Sequence, residues 1–577
     1  MFLRSLDVRN FRGIVTGRLD LDETTVLIGE NDCGKSSLLS ALEVVLASGN
    51  GDRPAIELHH FHRPLDPAGP LQGPVRIELV FEERLAGDWS EASLGSLAAV
   101  LAAPSSGVRR LSVTVQAEAP GDDSPPVTHW TILSPGARKA PSEDDPGHLG
   151  TIRRLCPLVW LQSGMLLGAT AVAAADADGN GDPAGGRLAE LAAEVESHYE
   201  ALLAGTSSNE LEELKAGYEA ARELLRQRAQ EYHSAGSLSH APVAEVLGKR
   251  AGPAPAGLRF HGSAAQQIGV LIVTAAIIRH GLGKWADGTT PLLVVEDPEA
   301  HLHLMTLASV WGLIEHAHAQ KIIGTQSETL LGAAPLHSIR RLTRAGGNMR
   351  QWRVGQGSLS TDELRKLSYH LRARRGEAMF ARCWLLVEGE TEFWMLPELA
   401  RLSGYDLTLE GVAAVEFAQC GLAPLIKLAR ELGIEWHVLT DGDGTGRDYA
   451  GETRSLAGGE EDRRLTQLRE PDVEHCFWHH GYAEVYQRAS GLGPAPGHKA
   501  GAGRVIRRAI KRHSKPYLAF EALAAVTASG SPGVPAPLRR TIETCVQLAR
   551  DAPAREGSTV GRPARKHDHG RRRGRGR

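Results

Sequence analysis

The sequence predicts an α/β protein built in at least two parts, because two short apolar segments far apart in the chain each end in a turn dense with reactive groups. Thr25-Val26-Leu27-Ile28 runs into Gly29-Glu30-Asn31-Asp32-Cys33-Gly34-Lys35-Ser36 and then a helical pattern through Leu46. Trp384-Leu385-Leu386-Val387 runs into Glu388-Gly389-Glu390-Thr391-Glu392. Bounded apolar runs of this length read as buried strands. In open α/β folds, ligands bind at the carboxyl ends of such strands. At 577 residues the chain is also too long for a single core, so two or three domains are expected.

The first turn is Gly-x-x-x-x-Gly-Lys-Ser with a strand before it and a helix after it, the context that turns a pattern into a phosphate cradle. Backbone amides and the helix N-terminus offer positive partial charge to phosphates. Lys35 would reach the β- and γ-phosphates and Ser36 the Mg²⁺. The nucleotide-binding set is therefore Gly29, Asn31, Gly34, Lys35, Ser36 and Ser37, with ATP and Mg²⁺ as cofactors.

The second turn holds Glu388 at the strand end and Glu392 in the first turn of the following helix, with Gly389 permitting a sharp bend between them. Downstream, the apolar Trp436–Thr440 ends in Asp441-Gly442-Asp443-Gly444, and a third acidic group follows in Glu470-Pro471-Asp472-Val473-Glu474. Hard oxygen ligands clustered in this way suit Mg²⁺, or Mn²⁺ in its place. Without a cation such a cluster repels itself. The expected metal ligands are Glu388, Glu392, Asp441, Asp443, Asp472 and Glu474. The bland alternative is a set of acidic surface turns.

The net charge of −4 gives no global attraction to nucleic acid, so any such binding must use local basic patches. The six cysteines are scattered with no Cys-x-x-Cys pair, which argues against a structural zinc site and fits a reducing, cytoplasmic compartment. No signal peptide and no apolar run of membrane-spanning length is visible.

Asn10-Phe11-Arg12-Gly13 followed by Gly-Glu-Asn-x-x-Gly-Lys-Ser-Ser resembles the head of ABC-type ATPases of the RecF, structural-maintenance-of-chromosomes (SMC) and overcoming-lysogenization-defect (OLD) group. Val75–Phe81 and Leu111–Val115 alternate as antiparallel strands and fit the β-subdomain of such ATPases; Leu158–Leu161 is a further candidate strand. Residues 172–186 are read as a linker rather than a calcium loop, since the closing bidentate Glu is missing. The stretch 187–256 is an insertion, its helical part either a partner-binding arm or an amphipathic helix packed on its own domain.

Gly262–Gln267 stands where the resemblance places the ABC signature, with different wording. Pro291–Val295 then ends in Glu296-Asp297-Pro298-Glu299, which resembles the Walker B and D-loop segment in Glu-Asp rather than Asp-Glu order. By that resemblance Glu296 holds magnesium and Asp297 orients the attacking water, with roles exchangeable. Gln326 stands where many such ATPases keep a switch histidine. His301 and His303 are expected to pack or cap rather than bind metal.

The basic run from Arg340 to Arg375 is either a solvated face or a DNA track. The pair of acidic turns resembles the Toprim domain of topoisomerases, primases and OLD-family nucleases. That likeness implies a lysine after the last acidic group, Lys515 first and Lys511 second, which would neutralise charge on the transition-state phosphate or else anchor the backbone of the nucleic acid.

The expected division is an ATPase domain over 1–345, a basic linker over 346–380, a Toprim domain over 381–530, and a low-complexity, disordered basic tail over 531–577. The whole order resembles the OLD family of ATP-dependent endonucleases. The resemblance implies DNA as substrate, a homodimer or larger assembly, a possible partner protein encoded nearby, and a role in phage defence or DNA repair. The alternative from another class is a RecF-like DNA-binding ATPase scaffold whose Toprim fold does not cut. A topoisomerase would need a nucleophilic tyrosine in a separate domain. A primase would need a template-binding module such as a zinc ribbon, which the cysteines argue against.

Overall fold

The structure is a computed structural model. It describes residues 1–47, 53–63, 73–101, 107–119, 125–134, 142–162, 289–299, 307, 311, 314–315, 317, 319–374, 376–492 and 501–558. The expected insertion over 187–256, the signature-like Gly262–Gln267 and the histidines at 301 and 303 lie outside the described residues.

The N-terminal strands are β1 (Phe2–Phe11), β2 (Ile14–Asp20) and β3 (Thr24–Ile28), followed by helix α1 (Lys35–Leu46). Next come β4 (Val75–Glu82), β5 (Arg110–Glu118), β6 (Val127–Leu133), β7 (Ser142–Glu143), α2 (Pro146–Leu155) and β8 (Leu158–Gln162). β9 (Leu292–Glu296), β10 (Gln320–Gly324), β11 (Ile339–Ala345) and β12 (Asn348–Trp352) complete one mixed sheet of order β7-β6-β5-β4-β1-β2-β12-β11-β3-β10-β9-β8. Its β4–β5 pair is antiparallel, whereas β11, β3, β10, β9 and β8 run parallel. Every residue of β9 and β10 is buried, which explains the apolar run Leu292–Val295 in β9, while β10 opens on buried Gln320 and Lys321.

After α3 (Thr361–Arg374) a second sheet begins with β13 (Cys383–Val387) and α4 (Glu390–Leu402). Then follow β14 (Val412–Glu416), α5 (Leu422–Glu431), β15 (Glu435–Thr440), α6 (Gly444–Ala457) and β16 (Leu465–Gln467). This sheet has the order β14-β13-β15-β16 and is parallel throughout. Helices α7 (Val473–Phe477), α8 (Ala483–Ser490), α9 (Ala502–Arg512), α10 (Lys515–Thr527) and α11 (Ala536–Ser558) follow, the last of them ending the described residues.

Two expectations are corrected. The stretch 346–380 is not a plain linker: β12 pairs antiparallel with β11 inside the large sheet. Nor is the chain structureless from 531, because α11 buries Leu538, Ile542, Cys545, Val546 and Leu548. The Pro/Gly-rich composition around 530–537 marks only the turn before that helix. One buried apolar cluster contains Val26, Val295 and Ile323 of the first sheet together with Trp384, Leu386 and Val438 of the second, so the two sheets share a core.

The basic run is also reassigned in part. Arg340 and Arg341 are buried. Arg340 donates to the carbonyls of Asp20, His337 and Ile339 and pairs with Asp22. Arg341 donates to the carbonyls of Leu432 and Gly433, each at 3.0 Å, and of Ala381 at 3.2 Å. Neither belongs to a surface track. A buried arginine placed on backbone carbonyls is satisfied only when each N–H finds an acceptor; here it locks the two sheets together.

Candidate functional site

The nucleotide loop leaves β3 and enters α1. At Gly29 a Cβ would run into the Leu342 carbonyl and lie 2.7 Å from Cys33 Sγ, and φ is +149°, so only glycine fits. Lys35 is buried, and its Nζ donates to the carbonyls of Gly29 (2.6 Å) and Glu30 (3.0 Å), lying across the cradle. Ser36 Oγ donates to Glu296 Oε1. Glu296 ends β9, two strands away, and its Oε2 is buried with no hydrogen-bond partner. Burial, with Asp297 beside it, raises the Glu296 pKa above the usual carboxylate range, while the Ser36 hydrogen bond opposes the shift.

That hydroxyl–carboxylate pair beside a spare buried oxygen suits a hard cation and the phosphates it accompanies. Asp297 takes a left-handed backbone (φ +47°) and donates its N–H to the Gly324 carbonyl. Gln326 is exposed, and its backbone N–H is held by Glu299 Oε1 at 2.5 Å. Glu299 also accepts Thr325 Oγ1 at 2.8 Å. No spacing in the sequence marks Glu299 for this role. Asn31 is exposed and Ser37 half-buried on the same loop and helix.

The second site occupies the carboxyl edge of the parallel sheet. Glu388 follows β13, Asp441 follows β15, and Glu470, Asp472 and Glu474 follow β16, so neighbouring strands deliver their acids to one edge. Gly442 makes the approach possible. Its N–H donates to the Glu470 carbonyl at 2.9 Å, and a Cβ there would collide with that carbonyl and lie 2.6 Å from the Leu468 carbonyl. Gly389 has an ordinary extended backbone (φ −140°), so the bend it was expected to permit is not what requires a glycine.

The electrostatics bind these acids into one group. Burial, and then Glu392, Glu388, Asp472 and Glu474, push Asp441 up to about 8. Burial and Glu474 push Glu392 up to about 7, against the pull of Lys515. Burial and Asp443 raise Glu388, whose Oε2 is buried without a hydrogen-bond partner. Burial also raises Glu474, opposed by Lys515. Burial lowers the Lys515 pKa, but Glu474, Asp472 and Glu392 outweigh that, so the ammonium is held charged. Its Nζ stands 3.4 Å from Glu474 Oε1.

Asp443 and Asp472 also serve as helix N-caps, accepting from Gly446 N–H (2.7 Å) and His475 N–H (2.8 Å). Lys511 lies exposed on α9 and makes no ion pair among the described residues. Two further acids lie at this edge outside the expected ligand set: Glu416, buried at the end of β14, and Glu470, the first residue of the third acidic group; their positions at or after strand ends were the available signal.

Acidic oxygens that cannot all ionise together, with a spare buried oxygen on Glu388, suit divalent cations in donor chemistry. Among the described residues, however, no three carboxylate, imidazole or thiolate groups are already arranged to hold one metal ion.

A family model described as "Protein of unknown function (DUF2813)" matches residues 1–378. A second, described as "Overcoming lysogenization defect protein-like, TOPRIM domain", matches residues 379–443 and so covers the β13 and β15 turns. The uncharacterized protein YbjD of Escherichia coli (strain K12) is 32% identical over 569 residues, spanning 95% of this chain and 99% of that one. Among solved structures, the SMC head domain from Thermotoga maritima aligns at TM-score 0.31 and 13% identity, over 62% of this chain and 100% of that one. The C-terminal region of the Burkholderia pseudomallei OLD protein aligns at TM-score 0.25 and 20% identity, over 30% and 99%. Among the described residues no helix is long and apolar enough to cross a membrane.

Proposed function

This chain belongs to the DUF2813 family and carries an OLD-like Toprim domain after it, and from that premise we propose that it is an ATP-binding, divalent-metal-dependent DNA endonuclease of the OLD type. The observation that carries the proposal is the meeting of Glu388, Glu392, Asp441, Asp472 and Glu474 with Lys515 at one sheet edge. Asp443 borders them through Glu388.

When bound there, divalent cations would activate the attacking water and stabilise the leaving oxygen. The six carboxylates would hold them. Lys515, kept charged by its acidic neighbours, would offset charge gathering on the phosphate. At the other site Ser36 and Glu296 would hold Mg²⁺, Lys35 would swing from the loop carbonyls to the phosphates, and Asp297 and Gln326 would face the attacking water. By the family resemblance the protein works as a homodimer or larger assembly, in phage defence or DNA repair.

A plasmid-nicking assay with Mg²⁺ or Mn²⁺, with and without ATP, tests this. Asp441→Ala should abolish cutting and leave ATP hydrolysis intact, and Lys35→Ala should abolish ATP hydrolysis. The competing reading is a DNA-binding ATPase scaffold; among the described residues no ready-made three-ligand set stands against it. Wild-type protein that hydrolyses ATP but never nicks DNA would establish that reading instead.

A further inference from the structure

We infer that the exposed stripe Arg504, Arg507 and Lys511 on α9 is the track that seats the phosphate backbone of DNA beside the acidic edge. The inference deepens the nuclease reading by assigning where the substrate lies.

The residues stand at i, i+3 and i+7, which puts them on one face of a helix. All three are exposed, and none has an acidic partner among the described residues. Their neighbours on the same helix are used differently: Arg508 Nε and Arg512 Nη1 donate to the Ser490 carbonyl at 3.0 and 3.3 Å and tie α9 to α8. The opposite face, Val505, Ile506 and Ala509, is buried. The stripe therefore has no structural employment.

It also adjoins the acidic edge. A Cβ at Gly503 would lie 3.5 Å from His475 Nε2 and 3.8 Å from Arg507 Nη1, so imidazole and guanidinium flank one point. The Nδ1 of that imidazole pairs with Asp472 Oδ1 at 2.6 Å. At the far end α10 begins with Lys515, itself paired with Glu474. Seven residues of helix advance roughly 10 Å, the axial run of about three phosphates of one DNA strand. Three cations face three phosphates, and cations without counter-ions next to an acidic cluster also keep a polyanion from being repelled by it. Lys511 is thereby a backbone contact, and Lys515 remains the lysine at the acidic centre.

The test is equilibrium binding of a short labelled DNA duplex to the full chain in EDTA, across a range of salt concentrations. The variants are Arg504→Gln/Arg507→Gln/Lys511→Gln and, as a control on α11, Arg539→Gln/Arg540→Gln. Each lost phosphate contact reduces the slope of log K against log salt by about 0.9. The triple variant should flatten that slope by roughly 2 to 3, with circular dichroism and ATP hydrolysis unchanged, and the control should keep the wild-type slope. An unchanged slope in the triple variant, an equal loss in the control, or a wild-type protein that does not bind DNA would each overturn the track. Because the assay contains no metal, wild-type protein that binds with the expected slope yet never nicks in Mn²⁺ sinks the nuclease reading and leaves the track standing.

Discussion

Arg382 grips Glu30 with two prongs, Nε to Oε1 at 2.5 Å and Nη2 to Oε2 at 2.8 Å. Glu30 is the second residue of the nucleotide loop, and Arg382 immediately precedes β13, the strand that Glu388 follows. The loop that would hold ATP thus sits on the amino edge of the sheet whose carboxyl edge carries the acids. Arg341, buried on three carbonyls from the second part of the chain, braces the same junction.

The two arginines should differ sharply in what they contribute to stability. The side chains of the Arg382–Glu30 pair are 35% and 46% exposed, so screening limits it and Arg382→Ala should cost less than about 1 kcal/mol. Arg341→Ala strands buried carbonyls and should cost about 3 kcal/mol. Urea unfolding followed by tryptophan fluorescence separates them, and equal losses would contradict this account.

Metal-free protein should lose stability as pH rises from about 5 to about 8. Asp441 and Glu392 have folded pKa values near 8 and 7, above their ordinary carboxylate values. In that window the folded state holds protons the unfolded chain has released, so stability falls with pH, by at most about 1.4 kcal/mol per pH unit for each group. Denaturation midpoints in EDTA should therefore decline toward pH 8. Mn²⁺ should restore them, and Asp441→Asn should flatten the trend. A midpoint that climbs with pH would refute the shared acidic pocket.

Gly442→Ala and Gly444→Ala form a matched pair. A methyl at 442 meets backbone carbonyls of Leu468 and Glu470, while one at 444 meets open space. The first should push the β15 turn away from the β16 turn, weaken Mn²⁺ binding at least tenfold and cost more than about 2 kcal/mol. The second should be close to neutral. Calorimetric titration with Mn²⁺ and thermal melts read both effects.

Helix α11 should prove essential to the second sheet. Ile542 is fully buried in the cluster that contains Leu385 and Val387. Ile542→Ala should cost about 2–5 kcal/mol, measured by urea unfolding; a change below 0.5 kcal/mol, roughly that of a surface site, would mean the helix is dispensable.

Local chemistry was readable without coordinates. The nucleotide loop needed only a glycine spacing between a buried strand and a helix, and both acidic turns announced themselves as carboxylates directly after apolar runs, because these patterns are written in consecutive residues. What consecutive residues cannot express is which distant groups become neighbours. Hence Arg340 and Arg341 looked like part of a surface track but are buried among carbonyls. Glu299 gained its role only when β9 and β10 lay side by side, and the tail from Ala536 became a helix because the second sheet offered an apolar face to cover. The strand order β14-β13-β15-β16 decided that acids separated by dozens of residues share one edge. Burial at that edge then decided their charge, a property of desolvation and proximity that no single segment carries.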